Sequence, residues 1–209
     1  TQLVLGTDRD NSMLRRIYDE EDPAVVWAIL VTIFTGQLYR KKVGFCGQGV
    51  SNSKVLRGLV GIAGIVSASV VPDTYAQTKK EMRAIEEENI SVSQLGKWLQ
   101  EQHLNNLKDI LQNNHYQNIL KKNTTAEDIL DWYEGELARL HEQVQANMGS
   151  AKEDFYRQEL ENFRSRFHKP VIYANWDWNS TVEDALHQAG FKSFEEQEKA
   201  LEEQRKKNW

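Results

Sequence analysis

The sequence is poor in the residues that interrupt helices and in those that form disulfides. Its 209 residues include three prolines, at positions 23, 72 and 170, and a single cysteine, Cys46. Because proline is the residue that most reliably breaks a helix, long stretches of the chain are free to be helical. One cysteine cannot form a disulfide within the chain, and no signal peptide is recognised, which favours the cytoplasm or another reducing compartment.

Acidic residues are missing from one long stretch. Between residues 24 and 72 there is no Asp or Glu, although the whole chain carries a net charge of −5. The loop 39–57 is therefore positive, through five basic side chains: Arg40, Lys41, Lys42, Lys54 and Arg57. Such a loop could bind the phosphate backbone of RNA or DNA, or it could pair with acidic helices of the same chain.

Long hydrophobic runs are also scarce. The run 24–35 has twelve residues before Gly36, whereas a membrane span needs roughly 20. The run 55–71 contains Arg57 and several glycines. We interpret both runs as apolar central helices, although the Val and Ile content of 55–71 also permits a strand. Reversible insertion into a membrane surface is a further alternative.

The chain is rich in residues that start helices. Asp22 before Pro23 is a cap followed by proline at the first helical position. A Ser or Thr with Glu or Gln three residues later, which is the capping-box pattern, occurs five times: Ser91 with Gln94, Thr124 with Glu127, Ser150 with Glu153, Ser180 with Glu183, and Ser193 with Glu196. Apolar residues at spacings of three and four follow these starts, so we predict an all-α, multi-helix bundle.

The predicted bundle has two parts. The first is a helical body at residues 1–170, in which 24–71 is apolar, basic and glycine-rich and 74–169 forms amphipathic helices. The second part, residues 171–209, begins with a short aromatic stretch that predicts an extended linker. A C-terminal helical pair, at 181–189 and 194–207, completes this possible docking arm.

Four side chains of the arm are predicted to bind a protein partner. Trp176 and Trp178 alternate, so an extended chain would place them on the same side. Phe194 and Leu201 are apolar positions on a helix that is otherwise rich in Glu and Lys. Aromatic anchors of this kind are enriched at protein–protein interfaces.

No motif in the sequence indicates catalysis. The segment 44–51 resembles a phosphate-binding loop, but Val50 stands where that loop needs Lys, and Asn52 stands at the third glycine position of a dinucleotide-binding motif. The five histidines show no metal-ligand spacing, and we interpret Cys46 as a spectator. We therefore predict no catalytic residue, no metal and no cofactor.

These features together predict a non-enzymatic protein that acts by association. It would be a subunit of an assembly, bound to a protein partner or to copies of itself. The alternative is a coat or nucleocapsid-type protein that binds nucleic acid through the loop 39–57. An enzyme would require a pocket with perturbed titratable groups, and the sequence indicates neither such a pocket nor a small-molecule substrate.

Overall fold

The structure, a computed structural model, describes residues 19–113, 116–121 and 123–207. These residues are almost entirely helical, which confirms the predicted all-α class. The α-helices are α1 (Pro23–Leu38), α2 (Gly49–Asn52), α3 (Lys54–Ala63), α4 (Tyr75–Glu88), α5 (Leu95–Gln112), α6 (Ala126–Ala146), α7 (Glu153–Asn175), α8 (Trp178–Gln188) and α9 (Phe194–Lys207). Single 3-10 turns occur at Pro72–Thr74, Val92–Gln94 and Gln117–Ile119, and two strands, β1 (Gly44–Phe45) and β2 (Ser67–Ala68), complete the described elements.

The chain forms two compact units, and their boundary differs from the predicted one. Of the described residues, 19–99 and 177–207 form the first unit, and those between 100 and 176 form the second. The C-terminal helices therefore belong with the N-terminal part of the chain and are not an arm that begins at residue 171. The reason is that both α8 and α9 pack against α1. Residues 1–18 of the predicted body lie outside the described residues.

Helix α1 is the apolar centre of the first unit, as predicted. Asp22 accepts a hydrogen bond from the amide of Ala24, and Pro23 occupies the first helical position. The side chains of Val26, Leu30 and Phe34 are completely buried. A helix that is apolar on all sides must be surrounded, and α3, α8 and α9 provide the surrounding surfaces. Within the described residues, no helix has the combined length and hydrophobicity needed to cross a membrane.

The second apolar run contains both a helix and a strand. Helix α3 ends at Ala63 and is capped by Gly64, whose φ of 85° lies in the left-handed region that favours glycine. The chain then enters β2, which pairs in parallel with β1 through Gly44 opposite Ser67 and Phe45 opposite Ala68. Parallel strands need a crossover connection, and α2 and α3 provide it. The run 55–71 is thus the second half of a β-α-β unit.

The second unit is built on a helical hairpin of α6 and α7. The rings of Tyr133 and Phe163 stack with centroids 5.4 Å apart, and Leu107 and Phe167 are buried in the same core. Gly149, with a φ of 75°, lies in the turn between the two helices, in the left-handed region that favours glycine. The amphipathic spacing of this part of the chain therefore corresponds to a packed apolar core.

Helix α7 passes through Pro170, so the predicted extended linker is wrong. Proline inside a helix costs about 3 kcal/mol because a backbone hydrogen bond is lost. The residues after it, Val171, Tyr173 and Ala174, are buried, and their burial continues the apolar face of the helix and offsets this cost. The helix ends only at Asn175.

The predicted helix starts are partly confirmed. The capping box of Ser91 and Gln94 is present. The box predicted at Thr124 is displaced by one residue, because Thr125 and Asp128 form it. Helix α8 is capped by Asp177, which accepts from the amide of Ser180, so Ser180 is not the cap.

Candidate active site

The carboxyl ends of β1 and β2 bring two reactive side chains together. Because the strands are parallel, the residues that follow them, Cys46 and Ser69, emerge at the same edge. The Cys46 Sγ and Ser69 Oγ atoms are 3.2 Å apart, within hydrogen-bond distance. Ligands of parallel α/β units bind at this edge, where loops carry functional groups away from the strands. We call residues 46–48 the Cys46 loop.

The Cys46 loop is open to solvent. Cys46, Gly47 and Gln48 are all exposed, and the cysteine is free. Gly47 has a φ of 141°, which a residue with a side chain rarely adopts, although the space around it is empty. Backbone conformation, rather than crowding, therefore requires glycine beside the thiol.

A buried arginine holds the turn that follows the loop. Arg57 on α3 is only 8% exposed. One guanidinium nitrogen donates to the carbonyls of Val50 and Ser51 at 2.8 and 3.0 Å, and the other contacts a Glu81 carboxylate oxygen at 2.6 Å. Burial alone would raise the pKa of Glu81, but hydrogen bonds from Gln77 and Arg57 outweigh it, so the pKa is lowered. Arg57 is therefore a buried structural cation, whereas the sequence had predicted an exposed residue that could bind nucleic acid.

Two serines connect this turn to its surroundings. The Ser51 hydroxyl accepts a hydrogen bond from the amide of Val71 at 2.8 Å, which links the chain after β1 to the chain after β2. Ser53 caps α3 and donates to a Glu21 carboxylate oxygen at 2.6 Å. Burial raises the pKa of Glu21, and the Ser53 hydrogen bond opposes this effect only in part.

The remaining basic residues of the predicted nucleic-acid site lie on both sides of β1 along the chain. Arg40, Lys41 and Lys42 precede β1 and therefore lie towards its amino end, away from Cys46. Arg40 pairs with Glu203 at 3.3 Å. Lys54 is exposed at the first turn of α3.

The predicted partner-binding residues have different environments. Trp178 is 1% exposed and Leu201 is 6% exposed, so both belong to the core of the first unit itself. Phe194 is half-buried. Trp176, at the end of α7, is 42% exposed. Two of the four side chains are therefore inaccessible to a partner, and self-association remains a prediction.

The structure offers no metal site in the part of the chain that it describes. No group of three His, Cys, Asp or Glu side chains within residues 19–113, 116–121 and 123–207 is arranged to hold an ion. His115, one of the five histidines considered from the sequence, lies outside these residues.

Comparisons with known proteins match the part of the chain that carries the Cys46 loop. A family model described as "PEP-utilising enzyme, PEP-binding domain", where PEP is phosphoenolpyruvate, matches residues 1–87. Phosphoenolpyruvate synthase of Aquifex aeolicus is 40% identical over 78 residues, which are 37% of this chain and 9% of that protein. The synthase of Aeropyrum pernix is 39% identical over 88 residues, 41% of this chain and 11% of that protein.

The Escherichia coli phosphoenolpyruvate synthase is 38% identical over 78 residues, 37% of this chain and 10% of the relative. The chain thus spans about a tenth of the length of the curated relatives it matches. No solved structure matches the chain.

These similarities overturn the functional prediction. The matched residues include β1, the Cys46 loop, α3 and β2, and they point to an enzyme domain. The predicted non-enzymatic assembly subunit, with its nucleic-acid and membrane-surface alternatives, is therefore wrong. Sequence reasoning missed the Cys46 loop because each strand has only two residues. The available signal was limited to the β-branched stretch around Val66, with Ile65, Val70 and Val71, after the helical segment that follows Val43.

Proposed function

We propose that residues 19–87 form part of a phosphoenolpyruvate site in a PEP-utilising enzyme, and that Cys46 transfers a proton to or from the substrate. The observation that carries the proposal is the position of Cys46 beside Ser69, at the carboxyl edge of a parallel pair inside the matched segment. This is the edge at which loops of parallel α/β units carry catalytic groups.

The chemistry of phosphoenolpyruvate requires a proton-transfer group. The compound is the phosphate ester of the enol form of pyruvate. To form the enolate, a base removes a proton from C3 of pyruvate, the C–H electron pair forms the double bond between C2 and C3, and the π electrons of the C2 carbonyl move to its oxygen. A cysteine thiolate can accept that proton and become a thiol, and in the reverse direction the thiol returns it to C3.

Ser69 supports this role for Cys46, and the role in turn implies a reducing compartment. A hydroxyl at 3.2 Å can donate to a thiolate or accept from a thiol, so it can orient the sulfur in either state. The proposed chemistry needs the thiol in its reduced form. We therefore place the protein in a reducing compartment, where an unpaired cysteine persists.

The single cysteine makes the proposal testable on the intact chain. Alkylation by iodoacetamide can modify only one thiol, that of Cys46. We expect phosphoenolpyruvate to slow this reaction in a saturable way, because a bound ligand covers the loop. Inorganic phosphate at the same ionic strength is the control for general anion effects. Protection by phosphate equal to that by phosphoenolpyruvate would refute the proposed site.

A second measurement tests the proton transfer itself. Exchange of the pyruvate methyl protons with solvent deuterium, followed by NMR, reports removal of a proton from C3. We expect Cys46→Ala to abolish any exchange that the wild-type protein catalyses. Exchange that persisted unchanged in Cys46→Ala would assign the proton transfer to another group.

A further inference from the structure

Arg57 makes more contacts than charge neutralisation requires. A buried guanidinium is costly unless it is paired, and Glu81 supplies the opposite charge at 2.6 Å. A lysine could make that ion pair as a point charge. The guanidinium fork additionally donates to the carbonyls of Val50 and Ser51, a geometry that needs an arginine.

The two carbonyls belong to an element that is unstable without support. Helix α2 has four residues, too few for a helix to persist alone. Its final carbonyls have no partner inside the helix, so Arg57 satisfies two of them. Because α2 begins at Gly49, directly after the Cys46 loop, Arg57 fixes the position at which the loop ends.

The same turn is also tied to the second strand. The Ser51 hydroxyl accepts from the Val71 amide at 2.8 Å, and Val71 lies two residues after Ser69. A displacement of α2 would therefore change the separation of Cys46 and Ser69, which is now 3.2 Å.

We propose that Arg57, held by Glu81, is a positioning residue that sets the geometry of the Cys46 loop relative to Ser69. This inference rests on the proposed function for its ligand, phosphoenolpyruvate, but not for its geometry. Arg57 acts through the backbone of α2 and does not itself touch the reacting atoms.

The test compares Arg57→Met and Arg57→Lys in the full chain with a matched control. Arg40→Met makes the same chemical change at an exposed ion pair with Glu203, towards the other end of β1. For each variant, the iodoacetamide rate at Cys46 is measured across pH without ligand. The phosphoenolpyruvate concentration that gives half-protection is measured next, and unfolding is followed in parallel by circular dichroism.

We expect Arg57→Met to change the pH profile of alkylation, because the displaced sulfur loses its contact with the Ser69 hydroxyl. Half-protection should need about tenfold more phosphoenolpyruvate, which corresponds to a loss of about 1.4 kcal/mol of binding free energy. Arg57→Lys should recover part of both effects, and Arg40→Met should match the wild type. A folded Arg57→Met protein with a wild-type pH profile would overturn the inference.

Two further outcomes are also decisive. If Arg57→Met does not fold, Glu81→Gln replaces it, because this variant keeps the arginine and removes only its charged partner. A wild-type pH profile in folded Glu81→Gln then overturns the inference, and a changed profile supports it. If phosphoenolpyruvate fails to protect even the wild-type protein, the proposed function fails, while the ligand-free profile still decides the positioning role of Arg57.

Discussion

Gly58 and Gly61 lie on successive positions of one face of α3, and alanine at each should change stability in opposite directions. A Cβ atom built on Gly58 would overlap the edge of the Trp98 indole ring, and it would lie 2.7 Å from Cζ3. Trp98 is 7% exposed, so its ring cannot move into solvent without losing its packing. A Cβ on Gly61 would meet Ile85 Cγ2 at 3.7 Å, an ordinary van der Waals contact.

The expected magnitudes follow from two opposing effects. Replacing glycine by alanine inside a helix stabilises it by about 1 kcal/mol. Forcing an extra carbon into a packed core costs about 1–3 kcal/mol, and the depth of the overlap at Gly58 indicates the upper value. We therefore expect Gly58→Ala to lose about 2 kcal/mol of unfolding free energy and Gly61→Ala to gain about 1 kcal/mol.

Urea unfolding followed by circular dichroism measures this difference of about 3 kcal/mol, provided that the denaturant slope is the same for both variants. For a chain of this length the melting temperatures should differ by roughly 6–12 °C. A Gly58→Ala protein as stable as Gly61→Ala would refute the steric reasoning.

The combination of Gly58→Ala with Trp98→Leu tests the cause directly. The smaller leucine leaves space that the new methyl group can occupy, so the two losses should not add. We expect the double variant to be more stable than the sum of the single effects predicts, by about 1 kcal/mol or more. Strict additivity would show that the Gly58→Ala loss does not come from Trp98.

Two further predictions concern pH. Burial raises the pKa of Glu21 in the folded state. The contribution of Glu21 to the free energy of unfolding is therefore full at low pH, and it is lost as the pH rises through the folded-state pKa. Glu21→Gln should therefore stabilise the protein more near neutral pH than in acid, as urea unfolding at both pH values would reveal. The backbone and side-chain hydrogen bonds from Thr125 lower the pKa of Asp128. The stability that Asp128→Ala loses should accordingly be largest near neutral pH and disappear as the pH falls below 3.8, and a pH-independent loss would contradict this explanation.

Local chemistry accounts for the features that the sequence predicted correctly. Asp22 with Pro23, and Ser91 with Gln94, start helices through contacts within three residues. The same reasoning misplaced the cap of α6 by one residue, because Thr124 and Thr125 are adjacent and both are acceptable caps.

The candidate site was hidden because its parts are far apart in the sequence. Cys46 and Ser69 are separated by the whole crossover, and two-residue strands leave no alternating pattern to recognise. From the sequence, Arg57 is indistinguishable from an exposed cation. In the folded chain, α4 places Glu81 beside it. Sequence reasoning therefore interpreted Cys46 as a spectator and could not identify its neighbour Ser69.

The sequence by itself determined that the chain is helical, where many of its helices begin, and that α1 is apolar, because capping and amphipathic spacing act over one or two turns. Only the tertiary structure decided that Trp178 is buried while Trp176 is exposed. It alone also decided that α7 continues through Pro170 and that the thiol of Cys46 meets a hydroxyl. Those outcomes depend on which distant surfaces pack together, and burial of apolar area between them outweighs the local preferences of single residues.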